Sequence, residues 1–441
     1  MKLSKGTYFF QVGEQIYLRN VWKRQDYLFN GIVGDILTYY SQERADDLEG
    51  LMTHLLQFYA VEDKQEFAVD MCAFTQQLMD EGILVPTNAE PLKADSRIRL
   101  QIQQEFGSRQ RLYYAAVELT YRCNERCVHC YIDDADKRAD EPELELKDYQ
   151  KLFAQLREMG CVGVLITGGE VCVKTDFLEI VHAAVDEGLL VDVYTNGTMM
   201  TEEELDALKD MNINSLSFSL YSGKAEVHDR VTGVPGSFEK TLRMIMMTKC
   251  AGIDTCIKNV AIRQNVDELE SLYQLGKRLG VHVSTVLSVS VSHLGDAGRA
   301  CRLKNVEAYK CALKVINRYA PRGFEEGAVD MDAYPCGAGM STLSIDPFGG
   351  VHPCLAFEQE IGSVKTQSLR EIWENNPALK TLRKIRRGDF GAACSTCCYA
   401  PCCTVCIGDS LKENSGKLEP CQDTCLIARA EYENMIEKES V

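Results

Sequence analysis

Length, composition and charge limit what this sequence can be. The chain has 441 residues, enough for several domains, and a formal net charge of −17. That charge argues against a nucleic-acid partner, because phosphate contacts need clustered lysine and arginine. There is no export signal and no apolar run long enough to predict a membrane span, so no membrane partner is expected. We expect a cytoplasmic protein whose 20 cysteines favour metal ligation over disulfides.

Residues 1–88 predict a small separate unit. Its expected elements are a hairpin from segments 7–11 and 15–18, followed by helices at 28–40, 46–59 and 66–81. The polar stretch 89–112 is interpreted as a linker to the rest of the chain.

Strands and helices alternate from residue 113 to about residue 300. The predicted strands lie at 115–120, 163–167, 190–195, 215–220, 256–262 and 281–289, and the helices between them include 146–159, 177–187, 202–211, 238–249 and 266–279. Capping boxes are predicted at Thr201 with Glu204 and at Asn265 with Glu268. Such alternation predicts an α/β fold with parallel strands. Six units are too few for a closed eight-stranded barrel, so we expect a partial (β/α)6 barrel.

Three cysteines lie close together after the first strand of this series. Cys123, Cys127 and Cys130 have a C-x3-C-x2-C spacing. Three thiolates on one loop can hold three irons of a [4Fe–4S] cluster and leave the fourth iron for another ligand. A zinc site is the alternative, but a structural zinc site takes four ligands and only three cysteines are local. The loop also follows its strand at the sheet edge where the active sites of (β/α) folds gather.

The cysteine spacing resembles the C-x3-C-x-Φ-C motif of the radical S-adenosylmethionine (SAM) superfamily. His129 stands at the usually aromatic Φ position, and Gly168, Gly169 and Glu170 resemble the family's GGE motif. The resemblance implies that the three cysteines are catalytic and that these four residues help to bind the cofactor. Glycines would let backbone carbonyls approach the amino group of SAM. SAM on the unique iron would be cleaved to a 5′-deoxyadenosyl radical that abstracts hydrogen from a substrate.

Two weaker matches lie at the ends of the third and fourth strands. Asn196 and Ser219 resemble family positions that hold the ribose and carboxylate of SAM. Asn196 is also explained as a turn residue, and Ser219 as a hydrogen-bonded core hydroxyl. Both are candidate cofactor-binding residues.

After a bridging region at 301–330, the segment 331–441 is rich in cysteine. Its spacing resembles the SPASM extension, which carries auxiliary iron–sulfur clusters. The resemblance implies one auxiliary cluster on Cys336, Cys354 and Cys406, and a second on Cys394, Cys397, Cys403 and Cys421. Two zinc sites are the alternative for this segment.

The cysteine spacing departs from the family pattern at two points. Cys402 competes with Cys403 as a ligand, and Cys425 competes with Cys421. Both choices stay open on the sequence alone.

The first auxiliary cluster is one cysteine short. No cysteine lies in the interval 337–353, so three ligands are assigned to four irons. The fourth iron is therefore either open to a substrate thiol or closed by another cysteine, such as Cys301, Cys311 or Cys402.

The N-terminal unit resembles the recognition element of enzymes that mature ribosomally synthesised and post-translationally modified peptides (RiPPs). The resemblance covers residues 17–85 and implies a winged-helix-like α+β fold, in which a leader peptide adds a strand and packs against the third helix. A winged-helix DNA-binding domain has a similar outline. Residues 1–90 carry seven basic and 14 acidic side chains, a net charge of −7, which argues against DNA.

Together the resemblances imply a radical SAM/SPASM peptide maturase that uses SAM and three [4Fe–4S] clusters. The expected product is a cysteine sulfur-to-carbon thioether in a precursor peptide, as in sactipeptide or ranthipeptide synthases. The nearest alternative is a carbon–carbon crosslinking or epimerising maturase. An alternative of another class is a non-catalytic iron–sulfur peptide-binding protein. The expected partners are the precursor peptide, through its leader, and an electron donor such as flavodoxin or ferredoxin.

The number of clusters is directly testable. We expect anaerobically reconstituted protein to hold about 12 irons and about 12 sulfides per chain, because each of three cysteine groups would hold four of each. Replacing Cys123, Cys127 and Cys130 together by alanine should remove about one third of the iron and abolish SAM cleavage. Stoichiometric zinc in place of iron would contradict the cluster assignment.

Overall fold

The computed structural model divides the chain into two compact units, Met1–Arg111 and Leu112–Val441. It describes residues 2–3, 7–12, 15–20, 25–41, 48–59, 61, 63–81, 83–85, 106–132, 141–290, 296–320 and 329–439. Of the predicted linker, residues 89–105 lie outside this described part. All 20 cysteines lie inside it, and all are free thiols.

The first unit combines short strands with three helices. Its described elements are β1 (Lys2–Leu3), β2 (Thr7–Val12), β3 (Gln15–Asn20), β4 (Gln25–Asn30), α1 (Val33–Ser41), α2 (Leu48–Leu55), α3 (Lys64–Asp80) and β5 (Leu84–Val85). β2, β3 and β4 form one antiparallel sheet in that order, and β1 pairs with β5.

The predicted hairpin is present as β2 and β3, but the sheet has a third strand that the sequence analysis missed. The helix predicted at 28–40 is wrong over its first residues, because Leu28 pairs with Tyr17 of β3 and belongs to β4. Gly31 then turns the chain with a φ of +69°, and α1 begins at Val33. The spacing of apolar residues within a short segment carries no information on strand pairing. The apolar spacing around Leu28 therefore predicted a longer helix.

α3 lies beside β4, the last strand of the described three-stranded sheet. The Phe29 ring of β4 meets the Phe74 ring of α3 edge to face, with centroids 6.0 Å apart. Asp63 caps α3 by accepting hydrogen bonds from two backbone N–H groups of its first turn. Leu18, Leu37 and other apolar side chains fill the core between sheet and helices. The arrangement leaves a sheet edge next to a helix.

The second unit is built on a nine-stranded sheet with the order β11-β10-β9-β8-β7-β6-β12-β13-β14. Its strands are β6 (Tyr114–Glu118), β7 (Gly163–Thr167), β8 (Leu190–Thr195), β9 (Ser215–Ser219), β10 (Thr255–Val260), β11 (His282–Val286), β12 (Thr342–Ile345), β13 (Gly350–His352) and β14 (Gly362–Ser363). The run from β6 to β11 is parallel at every pairing. These are the six predicted strands, so the α/β core with a parallel sheet is confirmed.

Helices connect and cover this sheet. They are α4 (Leu146–Glu158), α5 (Phe177–Asp186), α6 (Glu202–Asp210), α7 (Ala225–Thr232), α8 (Ser237–Cys250), α9 (Leu269–Leu279), α10 (Asp296–Cys301), α11 (Val306–Tyr319), α12 (Leu369–Asn375), α13 (Pro377–Leu382), α14 (Ala392–Ser395), α15 (Ile407–Glu413) and α16 (Gln422–Glu439). Among the described residues no helix combines the length and apolarity that crossing a bilayer requires.

One of the two predicted capping boxes is present. At the start of α6, Thr201 and Glu204 exchange the two hydrogen bonds of a capping box. The box predicted at Asn265 is wrong, because its side-chain oxygen accepts the N–H of Ile262 behind it, at 2.8 Å. Asn265 therefore ends the preceding turn instead of capping the helix.

The cysteine-rich segment is part of the same sheet as the core. β12 lies parallel to β6, the strand from which the first cysteine loop starts, and β13 and β14 continue the sheet antiparallel. One apolar core joins Leu119 and Ile166 to Ile345, Phe390 and Ile427. The sequence analysis missed this extension, because β12 is four residues long and its partner is distant in the sequence.

Candidate active site and cysteine groups

The first cysteine loop leaves the carboxyl end of β6 and is fixed at both ends by Glu118. Its carboxylate accepts the Tyr131 hydroxyl at 2.6 Å and the Tyr121 hydroxyl at 3.4 Å, and these tyrosines bracket the three cysteines. Burial raises the pKa of Glu118 to about 7. The sequence analysis missed this residue. The available signal was a charged side chain at the end of an otherwise apolar strand.

The turn after β7 packs directly against the backbone of this loop. The Gly169 N–H donates to the Thr120 carbonyl at 2.7 Å, and the Glu170 N–H donates to the Arg122 carbonyl at 3.0 Å. Gly168 has a φ of +135°, and a Cβ atom there would lie 2.4 Å from the Thr120 oxygen. A Cβ atom on Gly169 would lie 2.3 Å from the Arg122 oxygen. The two glycines are therefore needed for the contact between β7 and the cysteine loop.

Glu170 joins the end of β7 to the end of β8. It is buried, and it accepts hydrogen bonds from the Thr195 hydroxyl at 2.6 Å and from the Asn196 N–H at 2.7 Å. A third comes from the Cys172 N–H at 3.1 Å. Burial raises the pKa of Glu170, while these hydrogen bonds act in the opposite direction. The carboxylate thus fixes the relative position of two strand ends at the active-site edge.

Asn196 links β8 back to the cysteine loop. Its side-chain N–H donates to the Asn124 side-chain oxygen at 2.8 Å, and its own side-chain oxygen accepts the Thr198 N–H at 2.9 Å. The Asn124 amide also donates to the Thr198 hydroxyl at 2.7 Å. The bond to the residue two positions on is that of a turn asparagine. Asn196 therefore has a structural role as well as its candidate cofactor role.

Two of the three half-buried thiols of the loop, Cys123 and Cys127, have a desolvated and negatively charged setting. Burial raises the pKa of Cys123 to about 11 and that of Cys127 well above its ordinary value. Between them, Glu125 accepts the Cys127 thiol, with 3.6 Å between sulfur and oxygen. The other Glu125 oxygen is buried without a hydrogen-bond partner in the described chain. Burial raises the pKa of Glu125 to about 7.

His129 and Ser219 both face Tyr221, at the end of β9. The His129 ring meets the tyrosine ring edge to face at 4.8 Å, and the Ser219 hydroxyl contacts the tyrosine hydroxyl. Behind it, the buried His228 accepts the Tyr221 N–H at 3.1 Å. Burial lowers the pKa of His129 to about 4, so its ring is neutral at physiological pH. The contact of Ser219 agrees with the core-hydroxyl explanation.

Three thiols of the cysteine-rich segment lie around the first turn of α15. Backbone N–H groups of this turn donate to the sulfurs of Cys336 and Cys406, the latter at 3.4 Å. The Ala356 N–H donates to the Cys354 sulfur at 3.4 Å. Burial, and then the charge of Cys336, raise the pKa of Cys354 to about 12. The structure thus brings together the three residues assigned to the first auxiliary cluster.

A partly open cavity lies under the same segment and is rich in cysteine. Its thiols are those of Cys394, Cys397, Cys403, Cys406, Cys421 and Cys425. The competing Cys402 is buried elsewhere, near Glu431. Of the pair Cys402 and Cys403, the structure therefore places Cys403 at the cavity.

The two candidates for the last ligand have different neighbours. The charges of Cys394 and Cys397 raise the pKa of Cys425 beyond the effect of burial, and Cys425 has the same effect on Cys403. Burial, then the carboxylates of Glu413 and Asp409 on α15, and only then Cys425, raise the pKa of Cys421. Cys425 is therefore the thiol that the structure groups with Cys394 and Cys397.

The two spare cysteines outside the segment have other surroundings. Cys301 is buried and donates to the Val128 carbonyl of the first cysteine loop at 3.2 Å. Cys311 is exposed on α11. These positions do not associate either thiol with the group around α15.

Two family models match the chain. The model of the radical SAM superfamily matches residues 117–276, and a model described as an iron–sulfur cluster-binding domain, SPASM, matches residues 336–398. The mycofactocin maturase MftC of Mycobacterium ulcerans is 30% identical over 309 residues, which are 65% of this chain and 80% of that protein. The chain belongs to the radical SAM superfamily. As a radical SAM protein with a SPASM domain, it uses SAM, a [4Fe–4S] cluster and auxiliary iron–sulfur clusters.

Two further relatives differ in their named activities. An AdoMet-dependent heme synthase of Methanosarcina barkeri is 27% identical over 330 residues, 68% of this chain and 94% of that protein. The antilisterial bacteriocin subtilosin biosynthesis protein AlbA of Bacillus subtilis is 28% identical over 323 residues, 68% of each chain. Family membership alone therefore does not identify the substrate.

A solved structure covers nearly the whole chain. SuiB of Streptococcus suis, bound to SAM, superposes with a TM-score of 0.65 at 14% identity, over 96% of this chain and 99% of that one. At this identity the similarity concerns the fold, and it includes the N-terminal unit as well as the core.

The side chains present fit the groups that this radical SAM protein binds. Thiols that are buried beside Glu125 and Glu170 need a cation to be deprotonated, and cluster iron supplies that charge. Within the described residues, no group of three histidine, cysteine or carboxylate side chains is placed to hold a single ion. In a [4Fe–4S] cluster each thiolate ligates its own iron, so the sulfurs surround the cluster without converging on a point.

The contact between the β7 turn and the cysteine loop predicts the effect of one methyl group. In Gly169→Ala the new Cβ would overlap the Arg122 carbonyl, so the cysteine loop must move. We expect less iron at the first cluster and a drop in SAM cleavage of about tenfold or more, measured by iron analysis and by 5′-deoxyadenosine release. The matched control is Gly223→Ala, whose Cβ would meet the Ser271 carbonyl of α9 at 2.5 Å. It should lower stability without loss of iron, and equal iron loss in both variants would contradict the explanation.

Proposed function

We propose that this protein is a peptide maturase that joins a cysteine sulfur to a carbon of a ribosomally synthesised precursor peptide. The observation that carries the proposal is the group of Cys336, Cys354 and Cys406, three thiols for a four-iron cluster in a radical-generating protein. Named relatives support a peptide substrate: MftC is a maturase, AlbA serves subtilosin biosynthesis, and SuiB has been solved with its precursor peptide SuiA.

The residues at the carboxyl edge of the sheet have different roles, which depend on where they lie. Cys123, Cys127 and Cys130 would hold the first cluster, which together with SAM supplies the hydrogen-abstracting radical. Glu118 holds the ends of their loop, and Glu170 holds the strand ends beneath it. The buried aromatic rings behind the loop keep water from this edge, which protects a radical from side reactions.

The two groups of tail thiols would hold the auxiliary clusters. Cys336, Cys354 and Cys406 would hold the first, which offers a place for the substrate thiolate and an acceptor for the surplus electron. Cys394, Cys397 and Cys403 would hold the second, and the neighbours of Cys425 favour it over Cys421 as the last ligand. An electron donor such as flavodoxin or ferredoxin, in the cytoplasm, would supply the electron that SAM cleavage needs.

The N-terminal unit would recognise the leader of the precursor. β4 is an edge of the described three-stranded sheet, and α3 lies beside it through the contact of Phe29 with Phe74. An extended peptide that adds to this edge gains backbone hydrogen bonds from β4 and side-chain contacts from α3.

The thioether assignment is tested with the precursor peptide encoded nearest to this gene. The reduced enzyme should release 5′-deoxyadenosine, and the peptide should lose two hydrogen atoms together with one alkylatable cysteine thiol, as measured by mass spectrometry. The same mass loss with every thiol still free would instead indicate a carbon–carbon crosslink. Deuterium uptake from solvent without mass loss would indicate epimerisation. Release of 5′-deoxyadenosine that requires a porphyrin precursor in place of the peptide would favour the activity named for the heme synthases.

Removal of the first unit separates recognition from chemistry. Deleting residues 1–111 leaves the apolar core of the second unit complete, because that core begins at Leu112. We expect SAM cleavage without peptide to persist, while affinity for the full precursor falls by about a hundredfold. The control is a leaderless core peptide, which should be processed equally slowly by both forms. Unchanged binding of the precursor by the shortened enzyme would refute the recognition role.

A further inference from the structure

Asp409 is a buried carboxylate with one oxygen that nothing in the described chain satisfies. It lies in the first turn of α15, three residues after Cys406, and its side chain is 7% exposed. One oxygen, Oδ2, accepts the Ser290 hydroxyl at 3.2 Å. The other, Oδ1, is fully buried and has no hydrogen-bond partner among the described residues. Burying a carboxylate oxygen without a donor or a cation is costly, so this position needs a ligand.

The unsatisfied carboxylate faces the thiols of the first auxiliary group. Its side chain is within hydrogen-bond reach of the Cys406 thiol, and its own N–H donates to the Cys406 sulfur at 3.4 Å. The nearby cations are engaged by other carboxylates: Arg302 by Glu413 at 2.6 Å and by Asp423 at 3.3 Å, and Lys412 by Glu358 at 3.6 Å. Within the part of the chain that the structure describes, no basic side chain therefore forms an ion pair with Asp409 within 4 Å.

Packing of α15 against the Cys354 loop fixes this geometry. A Cβ atom on Gly408 would lie 2.7 Å from the carbonyl oxygen of Ala356, so only glycine allows the approach. Gly408 stands between Cys406 and Asp409, and Ala356 lies two residues after Cys354. The same close contact therefore brings the carboxylate and both thiols to one place.

We propose that the Asp409 carboxylate ligates the fourth iron of the first auxiliary cluster, beside Cys336, Cys354 and Cys406. The ligand count and the unsatisfied oxygen then explain each other: the cluster lacks a fourth protein ligand, and the carboxylate lacks a cation. A carboxylate is a harder ligand than a thiolate and suits this iron less well, so this iron is the exchangeable one. The replacement of the Asp409 carboxylate by a substrate thiolate rests on the proposed function. The ligation of this iron by Asp409 does not.

Cys421 is the competing fourth ligand, because it is buried and also neighbours Asp409. Cys421 lines the cavity that Cys406 shares with Cys425, whereas Asp409 contacts the Cys406 sulfur directly, through its N–H at 3.4 Å. The two assignments predict opposite results for substitutions at the two positions, so one experiment decides between them.

The test uses the full chain with Cys123, Cys127 and Cys130 replaced by alanine, so that only the auxiliary clusters remain, and no peptide is present. An iron without a thiolate is lost most readily on mild oxidation. This parent should therefore give about one [3Fe–4S] signal per chain by electron paramagnetic resonance. Adding Asp409→Cys should abolish that signal at unchanged iron content, and Asp409→Asn should lower the iron content or alter the spectrum of the reduced cluster. Cys421→Ser should leave this [3Fe–4S] signal in place, because the first auxiliary cluster does not depend on that thiol.

Each other outcome would overturn the proposal. These outcomes are a parent that resists oxidation, an Asp409→Asn variant identical to the parent, iron loss in Asp409→Cys as well as in Asp409→Asn, or a [3Fe–4S] signal that appears only in Cys421→Ser. Because no peptide is present, none of these results bears on the thioether reaction. Failure of the peptide assay would likewise leave the ligation intact.

Discussion

Two backbone hydrogen bonds, from Gly169 to Thr120 and from Glu170 to Arg122, hold the end of β7 against the first cysteine loop. They form only because no Cβ atom separates the two backbones. The Glu170 side chain extends the contact to β8, and Asn196 returns it to the loop. Three strand ends and the cysteine loop thus form one hydrogen-bonded frame. A cluster on this loop would be positioned by the backbone as much as by its ligands.

The protein buries carboxyl groups where it places its thiols. Glu118 ends β6 beside the first loop and Glu125 lies within that loop, and burial raises the pKa of each to about 7. A carboxyl group whose pKa is raised on folding contributes its full stability at pH values below the pKa that it has in the unfolded chain. That contribution is lost as the pH rises through about 7. Iron bound at this point would supply positive charge, so cluster and fold would stabilise each other. The unsatisfied oxygen of Asp409 shows the same need near α15.

The cysteine-rich segment is held by the core and not by its own fold. β12 continues the parallel sheet beyond β6, and the loop after β11 is tied to the segment through the Val289 N–H and Asp423 and through Ser290 and Asp409. The distance between the first cysteine loop and the group around α15 is therefore fixed by one apolar core. A reaction that joins a radical carbon to a bound sulfur depends on such a fixed separation.

Local sequence patterns predict the radical SAM family and the order of the core strands. Cysteine spacing, the GGE motif and the alternation of strands and helices are local patterns, so the parallel strands and the radical SAM family were predictable from them. Long-range contacts decided the rest: the strand β4, the pairing of β12 with β6, and the choice of neighbours for Cys403 and Cys425. Cysteines a few residues apart have equivalent spacing in the chain. Only packing decides which sulfur faces the other thiols of its group. Burial and neighbouring charge act through space, so the spacing of residues in the sequence does not reveal them.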